Sequence, residues 1–322
     1  MNKTEKTKII YVLGAAYSGS TLMGLALDKH EQIINLGEVT NLEYDYSEQT
    51  RCTCKEKVKD CSFWNKVKQS IAENCDPEVA FDLSERGDRE HLDRRGGWKK
   101  FQLLLGKRLL STYTAEYLQQ YREKNEGFFC SVDKAFPDAE YLVDLSKSAE
   151  RLDVLLDSDR LDIWCIYLRR DPLKVYASTL KRPKRTRRFL GPKSIREALW
   201  LRARTRDMEK TFSTVPTHRR IEVDFVEFTA DPDSVLNSVF EQLDLSPLPG
   251  NFDAKGFTIQ PAHQHIYVGN RWLFNPELSD ITIRERSDTA KLSWFQKLMF
   301  QVVWWKSNGW KSDRWKSKVL QP

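Results

Sequence analysis

The stretch LGAAYSGSTLMGLALDKH, Leu13–His30, nearly matches the phosphate-binding loop pattern G-x-x-x-x-G-K-[ST]. Gly14, Gly19 and Thr21 occupy the required positions, but Ser20 stands where the pattern has lysine. That lysine normally reaches the β- and γ-phosphates of a nucleoside triphosphate. A loop without it keeps its backbone N–H groups, its hydroxyls and a helix N-terminus, and it therefore favours a smaller anion with no obligatory metal.

The residues that flank this loop predict a strand before it and a helix after it. The run KIIYVLG (8–14) is apolar and ends in glycine, and the run after the loop places Leu22, Leu25 and Ala26 at helical spacing. The uncharged segment Ile9–Leu27 could instead form a signal or anchor helix, but its glycines and hydroxyl-bearing residues interrupt the apolar run that such a helix needs. We therefore expect a strand, a loop and a helix in a cytoplasmic protein.

Further strand-and-helix units follow, and the clearest is LDIWCIYLRRDPLKVYASTLKR (161–182). After its apolar strand Ile163–Leu168, Asp171 is suited to N-cap a helix and Pro172 fits the first helical position. The runs AEYLVDLSKSAERLDVLL (139–156) and RIEVDFVEF (220–228) each predict another strand. The helix after the last strand has one apolar face, formed by Val235, Leu236, Val239, Phe240 and Leu243. This alternation predicts an α/β fold in three layers, a mostly parallel sheet covered by helices on both sides.

The domain organisation follows from the absence of repeats and of low-complexity linkers. We expect residues 1–322 to form one domain, with a charged, mostly helical insertion at about 43–127 that shapes a substrate surface. The tail, about 290–322, pairs tryptophans with lysines. Its apolar residues at helical spacing are Phe295, Leu298, Val302 and Trp305. We expect this helix to dock on the domain, and the alternative is a peripheral contact with a membrane interface.

Three cysteines lie close together in CTCKEKVKDC (52–61). Cys52, Cys54 and Cys61 could hold a metal with one further ligand or form one disulfide, but neither paired spacing typical of zinc is met. We expect packed thiols and no metal. His263 and His265 are likewise expected to be solvated or hydrogen-bonded rather than metal ligands.

A second anion site is indicated where the strand Ile163–Leu168 ends. Arg170 follows that strand, and Ser178 lies eight residues later on the predicted helix. Open α/β sheets bind ligands at the carboxyl ends of their strands. The phosphate loop and Arg170 would therefore contact two anionic groups of one ligand.

Together these residues resemble the sulfotransferases that use 3′-phosphoadenosine 5′-phosphosulfate (PAPS). The matches are SGST (Ser18–Thr21) and RDPLKVYAS (Arg170–Ser178), and the resemblance extends through LGE (36–38), DLSK (144–147) and HIYVGNRW (265–272), to about residue 275. It implies a P-loop-like fold, PAPS as donor, adenosine 3′,5′-bisphosphate (PAP) as product, and no metal. The nucleotide-binding residues that it implies are Tyr17, Ser18, Gly19, Ser20, Thr21, Arg170, Ser178, Gly269, Asn270 and Arg271.

The resemblance also implies two catalytic residues. Glu38, the glutamate of LGE, matches the base that accepts the proton of the acceptor hydroxyl, and Lys147 matches the lysine that contacts the transferring sulfonyl group. One position departs from the family, which usually carries arginine or lysine where this chain has Tyr17. Either Lys147 and Arg271 supply the missing charge, or activity is impaired.

The acceptor class stays open among carbohydrates, lipids, peptides and small alcohols. One alternative function is a P-loop kinase or NTPase with Asp144 on a metal ion, which Ser20 disfavours. Another is a catalytically silent nucleotide- or polyanion-binding protein, which Tyr17 favours. The basic run KRPKRTRR (181–188) is expected to contact the nucleotide or an acidic acceptor rather than a nucleic acid.

Overall fold

The sheet at the centre of the structure has five strands, and all of them run parallel. The computed structural model describes residues 6–42, 50–75, 113–181, 193–252, 256–258, 264–267, 269–275, 280–281 and 289–304. The strands of the sheet are β1 (Thr7–Leu13), β2 (Ile33–Asn35), β3 (Tyr141–Asp144), β4 (Leu161–Arg169) and β5 (Arg220–Asp224). Their spatial order is β2-β3-β1-β4-β5, which puts β1 in the middle. A separate antiparallel pair joins β6 (Phe257–Thr258) and β7 (Asp280–Ile281).

Helices cover both faces of this sheet. They are α1 (Ser20–Leu27), α2 (Ser62–Asn74), α3 (Ala115–Ala135), α4 (Ala149–Leu156), α5 (Pro172–Leu180), α6 (Lys193–Phe212), α7 (Phe225–Ala230), α8 (Pro232–Gln242) and α9 (Trp294–Trp304). Short 3₁₀ helices span Val39–Asn41, Thr217–Arg219, Arg271–Phe274 and Thr289–Lys291. Residues of α2, α3 and α4 form one core with alternate side chains of β1, and residues of α1 and α8 form a second core with the others. The predicted three-layer α/β fold is confirmed.

Most of the predicted strand and helix junctions are confirmed, and one strand is shorter than expected. The Asp171 carboxylate accepts the backbone N–H of Leu173 at 2.7 Å and caps α5, with Pro172 as its first residue. The strand predicted over 220–228 ends at Asp224, whose side chain accepts backbone N–H groups and starts α7. The capping hydrogen bonds of Asp224 therefore override the strand propensity of the apolar residues that follow it.

The helical insertion and the tail each differ from their predictions in one respect. The insertion was expected to end near Gly127, but α3 continues through that residue to Ala135; residues 43–49 and 76–112 lie outside the described residues. In the tail, α9 docks as expected, since Phe300 is buried with its ring 5.1 Å from that of Tyr176. The predicted apolar stripe is nevertheless the outer face, because Phe295, Leu298 and Val302 are exposed; Trp305 lies outside the described residues. No helix in the described part of the chain is long and apolar enough to cross a membrane.

A buried ion pair fixes the end of β3. Asp144 and Arg151 are both fully buried and lie 2.9 Å apart, and Arg151 also donates to the Tyr121 hydroxyl at 2.9 Å. The other oxygen of Asp144 accepts the backbone N–H of Ser146 at 2.8 Å. Both oxygens of this carboxylate therefore have hydrogen-bond partners, and they stabilise the turn after β3.

We predict that Asp144→Ala lowers the free energy of unfolding by about 3–5 kcal/mol, because it leaves the Arg151 charge buried and unpaired. Glu140→Ala is the matched control, since its ion pair with Lys8 is partly exposed and should contribute only about 0–1 kcal/mol. Urea unfolding of both variants measures the difference. Similar losses in the two would show that the buried pair does not hold β3.

Candidate active site

The loop between β1 and α1 fits closely against its neighbours at two glycines. A Cβ on Gly14 would come within 2.8 Å of the Ser18 hydroxyl and 3.0 Å of the Leu168 carbonyl oxygen. Gly19 has φ +98°, and a Cβ there would lie 2.1 Å from the Phe225 ring. Only glycine allows both close approaches, so the two glycines of the predicted pattern are explained by the fold itself.

The hydroxyls of this loop are buried, and one of them has an unused hydrogen-bonding capacity. Ser18, Ser20 and Thr21 are each less than a tenth exposed. The Ser18 hydroxyl has no hydrogen-bond partner among the described residues. A small cleft of about 20 Å³ beside Ser18 is also lined by Arg170 and Pro172, and it has room for about one water molecule. A ligand larger than that would have to bind across the open edge of the sheet, outside the strand ends.

Lys147 links this loop to the predicted base. Its ammonium group donates to the Glu38 carboxylate at 2.5 Å and to the Ser20 hydroxyl at 3.2 Å. The second oxygen of Glu38 accepts from the Asn41 side chain at 2.9 Å. Both charged side chains are only partly exposed, 18% for Lys147 and 27% for Glu38. The structure thus brings the two predicted catalytic residues together at the phosphate loop.

Backbone hydrogen bonds hold the segments that carry this pair. The Leu145 N–H donates to the Gly37 carbonyl at 2.8 Å, which joins the turn after β3 to the turn after β2. The Tyr11 hydroxyl donates to the Ser148 carbonyl at 2.8 Å and accepts its N–H at 3.1 Å. Lys147 itself has φ +62°, a left-handed conformation that is rare for a residue with a side chain and that clusters at functional sites. The position of the ammonium is therefore determined by the fold.

Arg170 reaches the same loop from the opposite side. Its guanidinium donates to the Tyr17 carbonyl oxygen and lies 4.7 Å above the centre of the Phe225 ring. Tyr17 has φ +68° and is 39% exposed. Ser178 lies further along α5, where its hydroxyl donates to the Lys174 carbonyl at 3.0 Å. Arg170 is thus part of the loop site, whereas the described contact of Ser178 lies within its own helix.

Asn270 contacts the start of α1. The Asn270 side-chain amide donates to the Thr21 hydroxyl at 2.7 Å, and Gly269 precedes it with φ +151°. The side chain of Arg271, like most of the basic run 181–188, lies outside the described residues. The structure therefore places Asn270 beside the phosphate loop, and its contact with a nucleotide stays a prediction.

Sequence reasoning missed two contributors to this region. Phe225 packs on Gly19 and on Arg170, and it was interpreted only as an apolar residue of a strand. Asn41 holds Glu38 from a 3₁₀ helix that has no sequence signature.

Outside this region, the three cysteines lie beside a histidine: Cys52, Cys54, Cys61 and His265 place their ligand atoms within 4.8 Å of one another. This last arrangement differs from the separately packed thiols and the lone histidine that we expected.

No protein-family model and no curated protein matches the chain. Among solved structures, it is similar to the sulfotransferase domain of the Synechococcus PCC 7002 olefin synthase, at 16% identity over 93% of this chain and 96% of that chain, with a TM-score of 0.46. It is also similar to the sulfotransferase domain from the curacin biosynthetic pathway, at 14% identity over 94% and 98%, with a TM-score of 0.48. A third is sulfotransferase STF9 from Mycobacterium avium, at 14% identity over 77% and 66%, with a TM-score of 0.45. Each of these three proteins is a sulfotransferase or a sulfotransferase domain.

We predict that Gly19→Ala destabilises the protein more than Gly250→Ala does. Both glycines have positive φ, but a Cβ on Gly250 would meet no atom within 4 Å, so that variant measures backbone strain alone, about 1–2 kcal/mol. The clash with Phe225 should add about 1–3 kcal/mol at Gly19. Denaturant unfolding gives both values, and equal losses would show that the ring moves aside freely.

Proposed function

We propose that this protein is a sulfotransferase that moves a sulfonyl group from PAPS to a hydroxyl of an acceptor. The observation that carries the proposal is the position of Lys147, whose ammonium contacts both the phosphate loop at Ser20 and the carboxylate of Glu38. A transfer reaction needs an anion-binding loop for the donor, a base for the acceptor, and a cation between them. These three lie within one hydrogen-bonded cluster.

The loop fits the anionic end of such a donor. The buried Ser18 hydroxyl has no partner among the described residues, so it is available to donate to a ligand oxygen. The loop leads into the N-terminus of α1, where backbone N–H groups favour negative charge. Arg170 adds a guanidinium on the β4 side, although its present contact is with the Tyr17 carbonyl oxygen. Since a guanidinium carries five N–H donors, this contact is compatible with a further one from Arg170 to a 3′-phosphate.

The chemistry that we assign to the chain is an in-line displacement at sulfur. PAPS supplies the sulfonyl group, and PAP departs with the electrons of the broken S–O bond. Glu38 accepts the proton of the acceptor hydroxyl as its oxygen forms the new bond to sulfur. Lys147 stabilises the negative charge that develops on the transferring and leaving oxygens, where a positioned cation contributes most. Asn41 holds the Glu38 carboxylate in place.

There are two alternatives to a sulfotransferase: a kinase or NTPase, and a catalytically silent binding protein. Both are less well supported by the site. Asp144, the carboxylate that a kinase or NTPase would need for Mg²⁺, is fully buried and paired with Arg151. Ser20 replaces the lysine that a triphosphate requires. A silent nucleotide-binding protein would keep the loop but would not need Glu38 beside Lys147. The proposal also includes a hydroxyl-bearing acceptor, a cytoplasmic location and transfer without a catalytic metal.

We predict that PAP binds without Mg²⁺ and more tightly than ATP or 5′-AMP. Arg170→Ala should weaken PAP binding by about 1.5–3 kcal/mol, the usual contribution of a hydrogen bond to a charged group. Isothermal titration calorimetry measures each affinity. Arg169→Ala is the matched control, because the neighbouring arginine pairs with Glu222 on β5.

Two results would contradict this nucleotide assignment. Equal affinity for PAP and 5′-AMP would show that no site recognises the 3′-phosphate. Tight binding of ATP only with Mg²⁺ would favour the kinase. A loss at Arg169 as large as that at Arg170 would indicate a general effect of surface charge.

We predict that Glu38→Gln keeps the affinity for PAP but lowers turnover by about 10²–10⁴-fold, the usual contribution of a positioned general base. Lys147→Ala should lower turnover and also weaken donor binding, since negative oxygens face it before and during the transfer. Turnover is measured as transfer of the labelled sulfonyl group from PAPS to a panel of glycan, lipid, peptide and simple alcohol acceptors.

The control for this pair is Glu31→Gln, which changes an exposed glutamate on the turn after α1. Its turnover should equal that of the wild type. If Glu38→Gln retained wild-type turnover with an acceptor from the panel, the base would have to lie elsewhere. If PAP bound but no acceptor were modified, the silent binding protein would be favoured.

A further inference from the structure

Three cysteines and one histidine converge on one point outside the candidate active site. Cys52 and Cys61 are buried, whereas Cys54 and His265 are partly buried. One nitrogen or sulfur of each lies within 4.8 Å of every other. Since 204 residues separate Cys61 from His265, only the fold brings the fourth group to the other three.

The distances between these atoms agree with a tetrahedral zinc site. Zinc with thiolate ligands has Zn–S bonds of about 2.3 Å, which puts two sulfurs of a tetrahedron about 3.8 Å apart. The Cys54 and Cys61 sulfurs are 3.7 Å apart. The His265 Nδ1 atom lies 3.3 Å from the Cys61 sulfur and 3.9 Å from the Cys52 sulfur. These separations leave room for an ion at the centre with little movement of the side chains.

The local backbone presents the sulfurs to that centre. A tight antiparallel turn, with the Cys52 N–H donating to the Glu56 carbonyl at 2.9 Å, holds the first two cysteines, and Cys61 immediately precedes α2. The Lys55 N–H donates to the Cys52 carbonyl at 3.0 Å, and the Asn65 N–H donates to the Cys61 carbonyl at 2.9 Å, so backbone hydrogen bonds hold both buried cysteines in place.

The ring of His265 is held in the orientation that a ligand needs. It stacks on the Phe63 ring with a centroid separation of 4.7 Å and an angle of 2°. The Trp64 indole N–H donates to the His265 carbonyl oxygen at 2.8 Å. Nδ1 therefore faces the sulfurs without further adjustment.

We propose that Cys52, Cys54, Cys61 and His265 bind one structural Zn²⁺ ion. Three thiolates and one imidazole form a closed set of four ligands, which is the composition of structural rather than catalytic zinc sites. A disulfide would use only two of the three sulfurs and would leave the imidazole without a function. Isolated packing is what a buried thiol such as Cys165 shows, and it would not require four ligand atoms to converge.

The site joins two parts of the chain that flank the phosphate loop. The Thr53 N–H donates to the Ile266 carbonyl at 2.8 Å, and the Tyr267 hydroxyl donates to the Leu42 carbonyl at 2.5 Å. Asn270, which contacts Thr21, follows three residues after Tyr267. Zinc would thus hold the 264–270 segment against the segment that follows Glu38, and its loss would loosen both.

The test is the zinc content of the full-length protein, purified from zinc-supplemented cultures and measured by inductively coupled plasma mass spectrometry. We expect about one zinc per chain in the wild type and about a tenth of that or less in Cys61→Ser and His265→Ala. Cys130→Ser is the matched control, because that partly buried thiol lies outside the cluster, and it should retain the wild-type content.

Cobalt provides a second measurement that does not depend on whether the variants fold. Titration of metal-free wild-type protein with Co²⁺ should produce the visible bands of tetrahedral cobalt together with thiolate-to-metal charge transfer. The proposal is overturned if the wild type contains no zinc and shows a disulfide among these cysteines by mass spectrometry. It is also overturned if folded Cys61→Ser retains as much zinc as the wild type, or if cobalt gives only the weak spectrum of an octahedral ion.

Discussion

The burial of β1 between β3 and β4 is the constraint on which the other features depend. Residues 9–13 are inaccessible to solvent, and their side chains alternate between the two cores, so a register shift of one residue would exchange the faces. Because the strands are parallel, the turns after them all open at one edge of the sheet. Lys147 and Arg170 therefore reach the phosphate loop from its two sides simply by following the strands on either side of β1.

The cations at this edge are held in place by backbone hydrogen bonds and by ion pairs. Backbone hydrogen bonds join the turns after β2 and β3, and the buried ion pair of Asp144 and Arg151 stabilises the turn after β3. A site that is rigid before its ligand binds requires little free energy for reorganisation during a reaction. The same arrangement explains why Asp144 is unsuited to a metal ion of the kind that NTPases use, because its oxygens already have partners.

The cysteine and histidine cluster and the phosphate loop lie at two ends of one short segment. Residues 264–267 pack on the turn that holds Cys52 and Cys54, and Asn270 then contacts Thr21 at the start of α1. A crosslink of any kind at the cluster would restrict how far this segment can move from the loop. If zinc binds at the cluster as proposed, it therefore also restricts the position of Asn270 at the candidate active site.

The sequence by itself determined the features that depend on neighbouring residues: the strand, loop and helix around Gly19, the Asp171 cap of α5, and the apolar face of α8. These follow from local backbone preferences and from the period of the side chains, which a linear pattern records. Only the tertiary structure decided which distant groups meet. Glu38 and Lys147 are 109 residues apart, Cys61 and His265 are 204 apart, and no pattern in either segment specifies the other. The same reason explains why the wrong face of α9 was expected to dock: the helix has apolar residues on two sides, and the surfaces of α5 and α6 select the side that carries Phe300 and Val303.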